Sequence, residues 1–300
     1  MGLKERLQDP RSPDRRPRRS AYALPTLFTA GNIFLGYIAI LRSFRGALEF
    51  ATPGGADQAA AQFVIAAQAI GAAFVLDGLD GLVARMTNTA SEFGREMDSL
   101  ADVISFGIAP AILAFAWGVY FVDKSLGEGV RHLQEFGGFI SFLFLLCGAL
   151  RLARFNVQKN PIPKNPGKPD RKYFVGMPIP AAAGMVAATV YARGGEPLVY
   201  WPFTVAWLAL LGLMGFLMVS TWRYHSIKGI SLNRGYSTLL LLLVGAFIYA
   251  VWNYGKPVLA SLACAYVASG IVIRIGGILR RRVVKAPPRH VHPPQEHGVG

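Results

Sequence analysis

Charge is scarce in this chain. Asp, Glu, Lys and Arg make up 16% of its 300 residues against 53% apolar, well below the roughly one-quarter charged share of a soluble domain, so an ordinary water-soluble fold is excluded. Cysteine is almost absent. Cys147 and Cys264 both lie inside apolar runs, with no pairing or metal-ligand spacing, which excludes a disulfide framework or a zinc site and leaves two small, lipid-compatible side chains. Acids are outnumbered by bases, 17 to 31, for a net charge of +14. The bases nevertheless gather at the chain ends and in alternate loops, without a stripe interleaved with aromatics, so no nucleic acid is expected as a partner. A small-residue cleavage site is also missing behind the basic stretch 4–19. The apolar segment that follows is long and interrupted by Pro25 and Asn32, so it reads as an uncleaved basic arm and a first span.

What the sequence has in abundance is long apolar runs, such as 136–149, 205–220 and 237–251. With their flanks these reach the roughly 20 residues that a spanning helix needs. Windowed hydropathy predicts an all-α, polytopic membrane protein of about eight transmembrane helices, near 21–43, 60–86, 97–121, 136–157, 178–194, 200–221, 236–252 and 257–278. Loop charge supports that count. With the amino-terminal arm in the cytoplasm, connections after even-numbered helices should be rich in Lys and Arg. Lys159, Lys164, Lys168, Arg171 and Lys172 follow the fourth, Arg223, Lys228 and Arg234 the sixth, and Arg280, Arg281, Arg282 and Lys285 the eighth. On the opposite side Arg131 and Lys124 are offset by Asp123, Glu128 and Glu135, and Arg193 by Glu196. The protein is therefore expected in the cell (inner) membrane, with both termini facing the cytoplasm. The Pro-rich tail, with His290, His292 and His297, reads as solvated and disordered.

Four acids break the membrane pattern. Asp77, Asp80, Asp98 and Asp102 fall at or inside the ends of apolar segments, where a carboxylate costs several kcal/mol unless it is compensated and marks a functional site. Asp77 and Asp80 are three apart and Asp98 and Asp102 four apart, so each pair shares a helix face. Two helices joined by a short turn can point all four at one place. Like charges so gathered repel unless cations sit among them, and hard oxygen ligands suit Mg²⁺ or Mn²⁺, with two such ions bridged by this set. Gly81 and Gly94 clear space for a close approach, and Arg85 suits a phosphate. Carboxylates, divalent metal and an arginine at a membrane surface point to phosphoryl chemistry on a lipid. Glu92 and Arg95 read as solvated turn charges, His225 as an interfacial side chain, and Gly78 and Gly107 as packing glycines.

The string Asp77-x2-Asp80-Gly81-x2-Ala84-Arg85-x8-Gly94-x3-Asp98-x3-Asp102 resembles, at every fixed position, the signature of the CDP-alcohol phosphatidyltransferases. The resemblance implies a six-helix catalytic core, usually homodimeric, that binds CDP-diacylglycerol with its nucleotide at the cytoplasmic surface. By the same resemblance Asp77, Asp80 and Asp98 hold the metal ions, and Asp102 is the general base and also helps to bind metal. The CDP-diacylglycerol contacts that it implies are Gly81, Ala84, Arg85, Ser91, Gly94 and, near the start of the first helix, Thr26 and Thr29. Thr26 departs from the acidic or amide residue often found there.

The signature leaves the acceptor alcohol open. The flanking stretches 99–107 (SLADVISFG), 150–156 (LRLARFN), 173–180 (YFVGMPIP) and 219–224 (VSTWRY) are similar to the integral-membrane phosphatidylserine synthases within that family, which implies L-serine as second substrate. Serine carries a carboxylate that needs a cation. Arg151 and Arg154, three apart at one helix end, are the candidates, with Asn156 beside them. The competing acceptors are glycerol 3-phosphate, an inositol phosphate and choline, and the competing class is a divalent-cation transporter whose acids line an ion path. The expected organisation is a basic arm at 1–20, the catalytic core with helices one to six at 21–228, a transmembrane hairpin at 229–280 and a tail at 281–300.

Overall fold

The computed structural model describes residues 19–87, 92–123, 127–159, 173–225, 254–270 and 272. The chain folds as the all-α protein expected. Helix α1 is Arg19–Phe50, α2 Ala56–Thr87, α3 Glu92–Asp102, α4 Ala109–Gly118, α5 Gly129–Lys159, α6 Ile179–Ala192 and α7 Trp201–Val219. A π-helical segment, Val103–Ile108, joins α3 to α4 without a break. Residues 254–270 form a further helix, α8. The expected seventh span, 236–252, the arm at 1–18 and the tail from 281 lie outside the described residues.

Among the described residues five helices are long and apolar enough to cross a membrane: Leu27–Phe50, Ala56–Leu79, Phe93–Gly118, Gly129–Val157 and Trp201–Val219. Ile179–Ala192 is equally apolar in character but shorter. Five such segments make this an integral membrane protein. The exposed surface of α1 fits, since Phe34, Tyr37, Leu41, Phe44 and Leu48, spaced three or four apart, are all exposed. A stripe of that kind faces lipid, not water.

The core is built from small residues with a few large plugs. Ala59, Ala66, Ala73, Ala109, Ala114, Ala182 and Ala183 are buried, letting helices approach closely, while Phe63, Phe106, Trp117 and Phe144 fill what remains. Trp117 and Trp207 meet edge to face at 5.1 Å, and the Trp207 indole N–H donates to the Ala114 carbonyl at 3.1 Å, which satisfies the one polar atom of that ring. The α1–α2 hairpin forms the most extensive helix interface among the described residues.

Three helix ends differ most from the hydropathy reading, among them the start of α5, which lies at Gly129 and not near 136. The first was expected to end near 43 because Arg42, Arg45 and Glu49 lower the local hydropathy. Helix α1 instead runs on to Phe50, where Arg42 donates to Gln62 of α2 at 2.9 Å and Gln62 donates to Glu49 at 3.1 Å. Polar residues at this end are held by the neighbouring helix. Helix α3 starts at Glu92, not near 97, so Glu92 and Arg95, expected in a turn, belong to its first turn. Arg95 is exposed there.

Two short strands join the helices. β1 (Tyr173–Val175) and β2 (Arg223–His225) pair antiparallel, with Tyr173 opposite His225 and Val175 opposite Arg223. The ribbon ends at Gly176, whose φ of +79° is open to glycine at little cost and whose N–H donates to the Trp222 carbonyl at 2.8 Å. It ties the approach to α6 to the end of α7. On the opposite side Arg131 pairs with Glu135 at 3.3 Å, both exposed.

Candidate active site

Asp77 stands near the end of α2, and Asp98 and Asp102 stand one turn apart on α3. One carboxylate oxygen from each lies within 4.8 Å of the other two, and all three residues are half-buried. Asp102 interacts electrostatically with both partners, and its carboxyl is in hydrogen-bonding contact with Asp77. The Asp102 Oδ1 is buried without a hydrogen-bond partner. Three acids in a partly dehydrated place repel one another, and a buried acceptor without a donor is unstable by a further few kcal/mol. A hard divalent cation relieves both problems at once. The donor set therefore fits a metal site: oxygen ligands only, convergent, with an unsatisfied buried atom among them.

Helix α3 is held at this register by contacts with α1. The Ser105 hydroxyl, three residues beyond Asp102, donates to the carbonyl of Asn32 at 2.8 Å. Gly36, one turn further along α1, lies so close that a Cβ there would stand 2.5 Å from Ser105 Oγ and 2.9 Å from its Cα. Only glycine permits this backbone contact. The π-helical turn lies between Asp102 and Pro110, and the proline explains it: the ring has no N–H to give to residue 106 and would crowd that carbonyl in a regular α-turn. The widened turn closes instead through the Ala109 N–H on the Ile104 carbonyl.

Helix α5 is fastened beside Asp98. The Asn156 amide donates to Ser99 Oγ at 2.8 Å, and that hydroxyl donates to the Arg95 carbonyl at 3.0 Å. One turn up, Arg151 is half-buried and interacts electrostatically with Asp102, while Arg154 is exposed. The two arginines paired in the sequence reading thus face different surroundings.

Residues 22–214 match the sequence model of the CDP-alcohol phosphatidyltransferases. The chain belongs to this family. Individual relatives match over stretches of differing length. A Helicobacter pylori protein named CDP-diacylglycerol–serine O-phosphatidyltransferase is 36% identical over 256 residues, 85% of this chain and 92% of its own. An archaetidylserine synthase of Methanothermobacter thermautotrophicus is 34% identical over 212 residues, 70% of this chain and 72% of its own. A Saccharomyces cerevisiae CDP-diacylglycerol–serine O-phosphatidyltransferase is 43% identical over 115 residues, 38% of this chain and 37% of its own. The membrane helices and the carboxylate group described above are thus those of a phosphotransferase family.

Of the residues singled out in the family signature, Asp77, Asp98 and Asp102 are brought together. Gly94 lies on the first turn of α3, half-buried, four residues before Asp98. Asp80, Gly81, Ala84 and Arg85 continue α2 beyond Asp77, and their side chains lie outside the described residues, as does Ser91. Thr26 and Thr29 both fall on α1. Thr29 is buried one turn before Asn32, and the Thr26 side chain is outside the described residues. Gly107 is a packing glycine as expected, since a Cβ would stand 2.9 Å from Leu145. At Gly78 a Cβ would meet nothing within 4 Å among the described residues. His225 takes part in the β-ribbon through its backbone pairing with Tyr173.

The sequence reading gave no packing role to Gly36, Ser99, Ser105 or the Asn32 backbone, which hold α3 in place. Their signal was available as small and polar residues inside apolar segments, the usual material of membrane helix interfaces. What it could not supply was which residue meets which.

Proposed function

We propose that this protein is a CDP-diacylglycerol–serine O-phosphatidyltransferase, transferring the phosphatidyl group of CDP-diacylglycerol to the hydroxyl of L-serine with release of CMP. The observation that carries the chemistry is the convergence of Asp77, Asp98 and Asp102 from two helices, with an unpartnered buried oxygen among them. Serine as acceptor is supported by the names of relatives that align over nearly their whole length.

Asp102 takes the proton from the serine hydroxyl, and the freed oxygen attacks the phosphorus that carries the diacylglycerol. The bond from that phosphorus to the CMP oxygen breaks, and its electron pair leaves with CMP. Asp77, Asp98 and Asp102, with Asp80 from the next turn of α2, are the residues that hold divalent cation, Mg²⁺ or Mn²⁺ and two ions for the full set of four. Such a cation supplies Lewis-acid stabilisation of charge on the pyrophosphate oxygens. Gly81, Ala84, Arg85, Ser91, Gly94, Thr26 and Thr29 bind the CDP group. Arg151 receives the carboxylate of serine: it is half-buried and senses Asp102, whereas the exposed Arg154 belongs to the lipid-headgroup level. Asn156 acts through Ser99, keeping α5 against α3.

The lysine and arginine distribution supports a cytoplasmic position for the active site and both termini, in the cell membrane. The family resemblance carries the homodimer. Residues 21–228 form the catalytic core, and the segment at 229–280 adds a transmembrane hairpin.

The test is CMP release by purified protein in detergent with CDP-diacylglycerol, Mg²⁺ or Mn²⁺ and a panel of serine, glycerol 3-phosphate, an inositol phosphate and choline. Serine should support turnover. Release with another alcohol and none with serine would overturn the acceptor, and release with none of them, together with cation flux into liposomes, would overturn the enzyme reading.

A further inference from the structure

The π-helical turn between α3 and α4 decides which face of the helix the carboxylates occupy. An α-helix turns about 100° per residue, and α4 buries Ala109 and Leu113 completely. Were Val103–Ile108 regular, the steps from Asp102 to Ala109 and to Leu113 would bring Asp102 to within about 20° of both. Asp98, one turn before Asp102, would share that face. Both acids would then point into the apolar core, where an unpaired carboxylate is most costly.

The widened turn prevents this. It closes through the Ala109 N–H on the Ile104 carbonyl, one residue more than an α-turn spans, so everything before it slips in phase by one position. Ala101, not Asp102, falls into line with Ala109 and Leu113, and Ala101 is fully buried. Asp98 and Asp102 stay half-buried and reach Asp77.

Pro110 forbids the regular hydrogen bond but does not choose how the helix answers, since a kink would also serve. Ser105, in the middle of the turn, supplies the choice. It is fully buried, and its hydroxyl donates to the Asn32 carbonyl of α1 at 2.8 Å. At Gly36 the backbones are so close that a Cβ would stand 2.9 Å from the Ser105 Cα. Relaxing the turn to α geometry would swing Ser105 about 100° relative to α3 or to α4 and give up both contacts.

We propose that Ser105 is a positioning residue that latches this one-residue slip, holding Asp98 and Asp102 off the core face and toward Asp77. This rests on the reading of the three aspartates as cation ligands. Ser105→Ala removes the hydroxyl and leaves the backbone contact with Gly36. Mn²⁺ binding by purified protein in detergent without substrates, read from the electron paramagnetic resonance of the free ion, should weaken roughly tenfold, as loss of one buried hydrogen bond does. The Mn²⁺ concentration for half-maximal CMP release should rise in parallel, while the serine KM at saturating Mn²⁺ stays within about twofold. Pro110→Ala returns the N–H that a regular turn needs. With the latch in place it should change Mn²⁺ binding by less than about twofold; added to Ser105→Ala it should weaken binding by roughly a further tenfold, because nothing then holds the slip.

The outcomes separate the two claims. If the unaltered protein binds no Mn²⁺, or Asp77→Asn binds it equally well, the cation reading falls and this one with it. If binding depends on Asp77 but Ser105→Ala binds Mn²⁺ like the unaltered protein, the role of Ser105 is wrong and the cation site stands. That holds even if Ser105→Ala melts at a lower temperature in EDTA, since such a result describes packing alone. Equal and additive losses in the two single variants would also overturn the latch, because each would then act independently.

Discussion

The two ends of the α1–α2 hairpin carry polar groups of opposite composition. Near the turn, Arg42, Gln62 and Glu49 form a chain in which a cation, an amide and an acid follow one another at 2.9 and 3.1 Å. Only one Glu49 oxygen is left over in that chain, buried without a hydrogen-bond partner. At the other end Asp77 meets Asp98 and Asp102, and of these Asp102 interacts electrostatically with Arg151 of α5. The first group has its charges answered from within the protein, so it serves to close the hairpin. The second gathers three acids around a buried Asp102 oxygen that has no hydrogen-bond partner, an arrangement that a cation relieves. In a membrane protein a polar cluster is therefore informative by its charge balance, since both kinds are expensive to bury and only the unbalanced one calls for a ligand.

Removing the cation should produce the largest effect and test the unbalanced end directly. Incubation with EDTA should abolish CMP release, and Mg²⁺ or Mn²⁺ should restore it; full activity in EDTA would mean that the carboxylates answer one another without metal. Next in size, Asp102→Asn should lower kcat by roughly 10²–10⁴-fold, the range for loss of a general base, with CDP-diacylglycerol binding largely retained in an equilibrium assay. Asp77→Asn should lose that binding. Equal loss of binding in both would assign Asp102 a metal or structural role alone.

The contact that sets the register of α3 should give a smaller, mixed effect. Gly36→Ala forces a methyl against the Ser105 backbone, and overpacking of this kind costs about 1–3 kcal/mol. A lower melting temperature and a reduced kcat are expected together; an unchanged enzyme would show that the π-helical segment moves aside freely. The smallest effect belongs to the balanced end. Glu49→Gln removes the charge that answers Arg42 and should lower thermal stability by about 1 kcal/mol without changing either KM. A change in substrate KM there would show that the two ends of the hairpin are coupled.

Much of this was legible from residue order alone. Apolar runs gave the helices, and the spacing of Asp77, Asp98 and Asp102 placed their carboxylates on helix faces that the fold does bring together. The ends of α1 and α3 were misread for one reason: hydropathy scores a residue by itself, and Arg42 or Glu92 stays helical because of a neighbour or of its position in an amphipathic turn. The π-helical turn was also hidden, although Pro110 is visible, because a proline can be met by a kink, a break or a widened turn, and the Ser105–Asn32 contact accompanies the last of these.

The sequence by itself determined that this is a helical membrane protein with an acidic phosphoryl-transfer signature, because composition and fixed spacing are properties of the chain. Only the tertiary structure decided which groups share a site. Arg151 and Arg154 differ by three positions yet lie in different surroundings, while Asn156 reaches Ser99 and Ser105 reaches Asn32 from far along the chain. Those pairings come from how the helices pack against each other, and close packing of small side chains fixes them in a way that no local pattern records.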